Sequence, residues 1–178
     1  GFPMHQIVVK NETFTCAVNS IIIKLKGKTA HAGEPEKGIN PTLAIAAIIN
    51  QFNATIQSDN TKENFCLITP IYTKIGKKAY GVSAGAGEIH FTVRSDSNLQ
   101  MKKIEVALEN TAQSIAKAYQ LQCKIQWTQS FQANENDKTA VAFIKKVAKM
   151  NGFEAFEKEK PFTWGEDFGL FTQHYPGA

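Results

Sequence analysis

Residues 88–94, Glu88-Ile89-His90-Phe91-Thr92-Val93-Arg94, alternate strictly between apolar and polar. In an extended chain successive side chains point to opposite faces. Ile89, Phe91 and Val93 therefore share one face, and His90, Thr92 and Arg94 share the other. Such a strand offers one face to a core and keeps one polar. Its place in the fold follows from what flanks it.

Upstream, residues 65–75 predict a second strand, joined to the first by the loop Gly76 to Gly87, rich in glycine and small residues. Further back, residues 18–26 alternate with Ile21, Ile23 and Leu25 facing inward. Between these two lies a helix opened by Asn40-Pro41, with Asn suited to the N-cap and Pro to the first helical position. Ile45, Ile48, Ile49, Phe52 and Ile56 form its buried stripe, and the polar stretch Ser58 to Asn64 ends it. Downstream of Arg94, Ser97-Asn-Leu-Gln100 has the spacing of a capping box. The helix that follows turns Met101, Ile104, Leu108, Thr111, Ile115 and Ala118 to one side, and residues 121–128 supply a last strand with Ile125 and Trp127 as its core pair.

The order strand-helix-strand, strand-helix-strand over residues 18–128 predicts an α/β fold of the α+β kind. It is a ferredoxin-like βαββαβ unit whose four-stranded, mostly antiparallel sheet carries both helices on one face. The helices cover Ile89, Phe91 and Val93, which leaves the face bearing Arg94 open. After residue 128 the pattern changes. A helix is expected over 137–151, with Val141, Ile144, Ala148 and Met150 periodic and Gly152 as its stop; a short strand near 153–157 and a loop entering a helix at 164–174 follow. These elements are too few to close a core. They read as part of a larger α/β domain, and neither Gly1-Phe2-Pro3 nor Tyr175-Pro-Gly-Ala178 reads as a native end.

Composition narrows the class. The 178 residues are 43% hydrophobic and 20% charged, with no apolar run near the ~20 residues a membrane helix needs. The net charge of +4 fits an acidic small-molecule substrate and is slight for a nucleic-acid partner. Cys16, Cys66 and Cys123 are odd in number and far apart, as expected for reduced thiols of a cytoplasmic protein, not for a disulfide framework or a zinc site. His5, His90 and His174 have no metal-ligand spacing. No phosphate loop occurs.

Four segments could carry chemistry. His31 sits in the middle of the glycine-punctuated loop Gly27 to Gly38, where an imidazole could donate to a developing oxyanion. The residues alone favour an exposed loop histidine without a role. Arg94 could fork onto a carboxylate, or be a solvated or salt-bridged sheet residue. Asn40 is accounted for as a helix cap. Glu166 and Asp167 could serve as paired acids, but two carboxylates at a helix start are what the helix dipole favours, and from the residues alone that reading wins.

Taken together these segments resemble one family. Gly27-Lys-Thr-Ala-His31-Ala-Gly-Glu-Pro35-Glu-Lys-Gly38-Ile-Asn40-Pro41, Phe91-Thr-Val-Arg94 and Gly165-Glu-Asp-Phe168 followed by Pro176-Gly177-Ala178 are similar, in order and spacing, to the lid and catalytic motifs of the dinuclear-metal amidohydrolases. That group comprises aminoacylases, hippurate hydrolases and indole-acetyl-amino-acid hydrolases (peptidase family M-twenty). The resemblance implies a lid, or dimerisation, domain over 18–128. It makes 1–17 the end of an N-terminal catalytic segment or linker, and 129–178 a truncated C-terminal part of the catalytic domain. It implies hydrolysis of the amide bond of N-acyl amino acids or small peptides. Two divalent metal ions, zinc by expectation, belong to the full-length enzyme and none to this chain. The partner is a second copy through the lid, with neither nucleic acid nor membrane. His31 would polarise the scissile carbonyl in the partner's site, Arg94 would hold the substrate carboxylate, and Glu166, Asp167 and Phe168 would form the active-site wall. The chain departs from the family at Gly81-Val-Ser-Ala84, in place of Asn-Val-Ile-Pro, and at Trp164-Gly165, in place of Gly-Ser. The alternative is a non-catalytic dimerisation or small-ligand module of the same topology. An RNA-recognition domain is disfavoured, because its open sheet face needs stacking aromatics and Phe91 points inward.

Overall fold

The computed structural model describes residues 2–62 and 64–178, so Glu63, within the polar stretch expected to end the first helix, lies outside the described residues. The strands are β1 (Ile7–Val9), β2 (Glu12–Thr15), β3 (Ala17–Lys26), β4 (Leu67–Ile75), β5 (Ala86–Ser95), β6 (Gln122–Phe131), β7 (Asn134–Asn136) and β8 (Ala155–Glu157). The helices are α1 (Thr42–Ala54), α2 (Asn98–Ala118), α3 (Lys138–Met150) and the single turn α4 (Gly169–Thr172).

β3, β4, β5 and β6 form one sheet in the order β4-β5-β3-β6. Each neighbouring pair is antiparallel, so the sheet is wholly rather than mostly antiparallel. Both helices pack on the face of Ile21, Ile23, Leu25, Ile89, Phe91 and Val93, and these side chains join Ile45, Ile48, Phe52, Met101, Ile104 and Leu108 in one buried core. The Phe52 and Phe91 rings meet at 4.9 Å between centroids, tying α1 to the middle of β5.

Local chemistry sets the helix starts. The Asn40 side chain accepts from the Thr42 amide at 3.0 Å and the Thr42 hydroxyl at 2.7 Å, the work of an N-cap with Pro41 just inside. Ser97 accepts from the Gln100 amide at 3.3 Å and caps α2. The α2 stripe ends differently from the expectation. Ala112 and Ala116 are buried, whereas Thr111 is half-buried and Ala118 exposed. Beyond Leu108 small residues one position round take the buried places. Thr111 instead bonds back to the Ala107 carbonyl at 2.8 Å.

Residues 7–15 and 134–162 pair with one another outside the main sheet. β1 runs parallel to β8, and β2 antiparallel to β7 with a register shift between Thr13 and Thr15. α3 starts at Asp137, whose carboxylate accepts from the Ala140 amide at 2.9 Å. Val141 and Ala148 are buried, but Met150, expected on the same stripe, is 75% exposed. Phe143, Leu170 and Phe171 are also exposed, so this region presents apolar side chains that nothing in the described chain covers.

Candidate functional site

The His31 loop is held by backbone pairing. Lys28 pairs with Ile39 across the loop's base, and His31 pairs with Val82 of the β4–β5 connection. The Ser83 hydroxyl accepts from the Ala30 amide at 3.1 Å, while the Ser83 amide donates to the Ala30 carbonyl at 2.9 Å. Gly85 explains why the two loops can meet. A Cβ there would lie 2.5 Å from the Thr29 amide nitrogen, too close for any side chain. The loop is thus a two-layered projection past the end of the sheet. At its exposed tip the Gly33 amide donates to His31 Nδ1 at 3.1 Å. With Nδ1 accepting, a neutral imidazole carries its proton on Nε2, as an outward-facing donor.

Arg94 lies at the other end of the same face. Its register partner on β3 is Val18, whereas Lys26, at the His31 end, pairs with Ala86. Eight residues of strand separate those two rungs, about 26 Å at the usual rise. The two residues thus stand at opposite ends of the sheet in one chain.

Arg94 is not on a freely open surface, and here the expectation of an uncovered face needs correcting. The segment 162–165 crosses the start of β3: the Cys16 amide donates to the carbonyls of Phe162 and Trp164, at 3.0 and 3.1 Å. A Cβ on Gly165 would come within 2.7 Å of a Val18 methyl, so this crossing depends on glycine. Arg94 is half-buried beneath it and donates from Nη1 to the Thr163 carbonyl at 2.8 Å. The reason is connectivity. The alternation in β5 fixed the face but not what the later chain lays across it. The remaining guanidinium donors stay available for a carboxylate. Arg94 thus stands at the base of the segment leading into Glu166, Asp167 and Phe168. Glu166 is half-buried, Asp167 and Phe168 are exposed, and the Asp167 carbonyl accepts the Leu170 amide at the start of α4.

Between the two ends, the open face carries a row of hydroxyls, Thr69, Thr92, Ser20 and Thr128, aligned across all four strands. Beside it Glu88 accepts from His90 at 2.5 Å and pairs with Lys24 at 3.4 Å. The His90 bond, foremost, holds the Glu88 carboxyl below its usual range. Among the described residues no three His, Cys, Asp or Glu side chains converge as metal ligands, so these residues do not fit a metal centre. Sequence reading missed Ser83, whose hydroxyl steadies the His31 loop; its sequence signals were its place where the family has Ile and the glycines at 81 and 85 that flank it.

Comparison with known proteins bears on family and fold. A family model described as the peptidase dimerisation domain matches residues 17–120, more than half of the chain. The chain belongs to that family. Over 98% of its length it is 23% identical to N-acetyldiaminopimelate deacetylase of Bacillus licheniformis and 25% identical to N-acetylcysteine deacetylase of Bacillus subtilis, covering 46% of each. Two solved structures share its fold. One is a dinuclear metal-binding peptidase of Bacillus subtilis (TM-score 0.76, 22% identity, 98% of this chain and 43% of that one). The other is an aminobenzoyl-glutamate utilization protein of Klebsiella pneumoniae (TM-score 0.79, 19% identity, 99% and 45%). The chain spans a little under half the length of the relatives it matches. No helix of the described residues is long and apolar enough to cross a membrane.

Proposed function

We propose that this chain supplies the lid and the C-terminal catalytic-domain portion of a metal-dependent amidohydrolase that cleaves the amide bond of N-acyl amino acids or small peptides. Residues 18–128 act as the lid, residues 1–17 and 129–178 as parts of the catalytic domain, and the enzyme works as a homodimer through the lid. The observation that carries this reading is the placement of the His31 loop after the Lys26–Ala86 rung and of Arg94 at the Val18 rung, eight residues of strand or about 26 Å apart. Two groups that serve one small substrate at that separation belong to two subunits. Arg94, beside the Glu166-Asp167-Phe168 wall, binds the substrate carboxylate of its own subunit's site. His31 reaches into the partner's site and donates from Nε2 to the carbonyl oxygen as negative charge builds there. Deacetylase relatives support an N-acyl amino acid as substrate. The two divalent ions, zinc in this reading, would activate water; the described residues bring together no group of three His, Cys, Asp or Glu side chains that could hold one alone.

The test for Arg94 is kinetic. In the full-length enzyme Arg94→Ala is expected to raise KM roughly 10- to 150-fold, the equivalent of ~1.5–3 kcal/mol for a charge-assisted hydrogen bond, with a smaller change in kcat. Arg94→Lys, which keeps the charge but loses the fork, should fall between. Unchanged KM in both variants would remove Arg94 from the site.

A further inference from the structure

At the His31 end of the open face the sheet and the two loops enclose a groove of ≈1170 Å³. Six lysines line it: Lys24, Lys26, Lys28, Lys74, Lys77 and Lys124. Its carboxylate, Glu88, is already shared between Lys24 and His90. Among the described residues the other five lysines have no carboxylate within ion-pair distance. The register sharpens the point. Lys74, Glu88, Lys24 and Lys124 form one row straight across β4, β5, β3 and β6, with Lys24 and Lys124 directly opposite each other. Like charges at a directly opposed pair destabilise a sheet. The small residues Ala84, Gly85, Ala86 and Gly87 also line the groove.

We propose that this groove is a binding site for a small polyanion carrying two or more phosphate-type groups. Lysine ammoniums are compact point charges on flexible stems, suited to charge-dense oxyanions, and the groove has no arginine fork of the kind that selects planar carboxylates. Its lining also has no aromatic ring, so it lacks the stacking platform that single-stranded nucleic acid uses. A bound polyanion relieves the Lys24–Lys124 repulsion and engages the lysines that lack partners. The groove borders the His31 loop and β4, which the proposed dimer also uses, but the proposal is argued from this chain's own residues and its test needs no catalysis.

The probe is sodium tripolyphosphate, titrated into the 178-residue chain at low salt and followed through its amide NMR shifts. The expected result is one saturable site, with shifts confined to residues 24–29, 74–87 and 122–124. Raising ionic strength from about 20 to about 200 mM should weaken it markedly, since exposed charges are screened over that range. The double variant Lys74→Gln/Lys124→Gln, in exposed side chains that leave the core intact, should weaken binding roughly tenfold, at roughly two- to fivefold per exposed ion pair. Lys102→Gln/Lys103→Gln on α2 should change nothing. Non-saturating shifts spread over lysines elsewhere, or equal affinity in the two double variants, would overturn the site. Tighter binding of a single-stranded RNA oligomer than of tripolyphosphate at equal salt would overturn the small-anion assignment.

Discussion

Single residues carry much of the local order. Ser97 is the sole side-chain cap seen at the start of α2, and its loss leaves the Gln100 amide without that acceptor. Ser97→Ala is expected to lower stability by about 0.5–2 kcal/mol, read as a drop in denaturant midpoint without a change of slope. The thiols are a second case. Burial pushes Cys16 up to about 12 and Cys66 up to about 11, and raises Cys123, which is only half-buried. Because the thiolate is the reactive form, the native chain at pH 8 should react slowly with a thiol reagent, Cys123 first, and all three should react at once after denaturation. Rapid labelling of Cys16 in the native state would contradict its packing. Both features were readable in the sequence: Ser97 from its spacing to Gln100, and the cysteines as free thiols from their odd number and distance apart. The bond from Arg94 to the Thr163 carbonyl was not, because it joins residues 69 apart and depends on Gly165 lying against Val18.

Among elements, those with a repeating pattern were legible and those without were not. β3, β5, α1 and α2 follow from period-two and helical spacings, with ends moved by one or two residues, as at β5, which starts at Ala86 rather than 88. β1, β2 and β7 escaped. They are three or four residues long, and their partners lie more than a hundred residues away, Ile7 against Ala155 and Glu12 against Asn136. No local period marks so short a strand. The sheet's two edges also differ. β6 exposes Gln122, Lys124 and Gln126, polar groups that blunt edge pairing, whereas β4 exposes Ile71 at 62% and Tyr72 at 44%. In the proposed dimer, β4 is therefore the edge that meets its copy. Ile71→Lys should shift the full-length protein toward monomer in light scattering while leaving its circular dichroism unchanged. A dimer of undiminished strength would assign the interface elsewhere.

For the whole molecule, the sheet sets its two candidate groups at opposite ends, and the proposed dimer rests on that placement. The hydrophobic pattern disclosed the four-stranded unit and the face that Arg94 shares with His90 and Thr92. It could not disclose that His31 stands beyond one end of that face and Arg94 at the other, because this depends on strand register and on the pairing of the His31 loop with Val82 and Ser83. The exposed apolar side chains of α3 and α4 belong to the same scale, a surface that the described chain does not cover.

The central claim is that His31 works in the partner's site, and subunit mixing tests it most directly. Full-length His31→Ala is expected to lose roughly 10²–10³-fold in turnover, the scale of one oxyanion donor. A second inactive variant is made in a metal ligand of the full-length enzyme, and the two are mixed in equal amounts under conditions where subunits exchange. About half the dimers are then mixed, each with one of its two sites intact, so activity should recover to roughly a quarter of wild type. Proven subunit exchange with no return of activity would contradict the account.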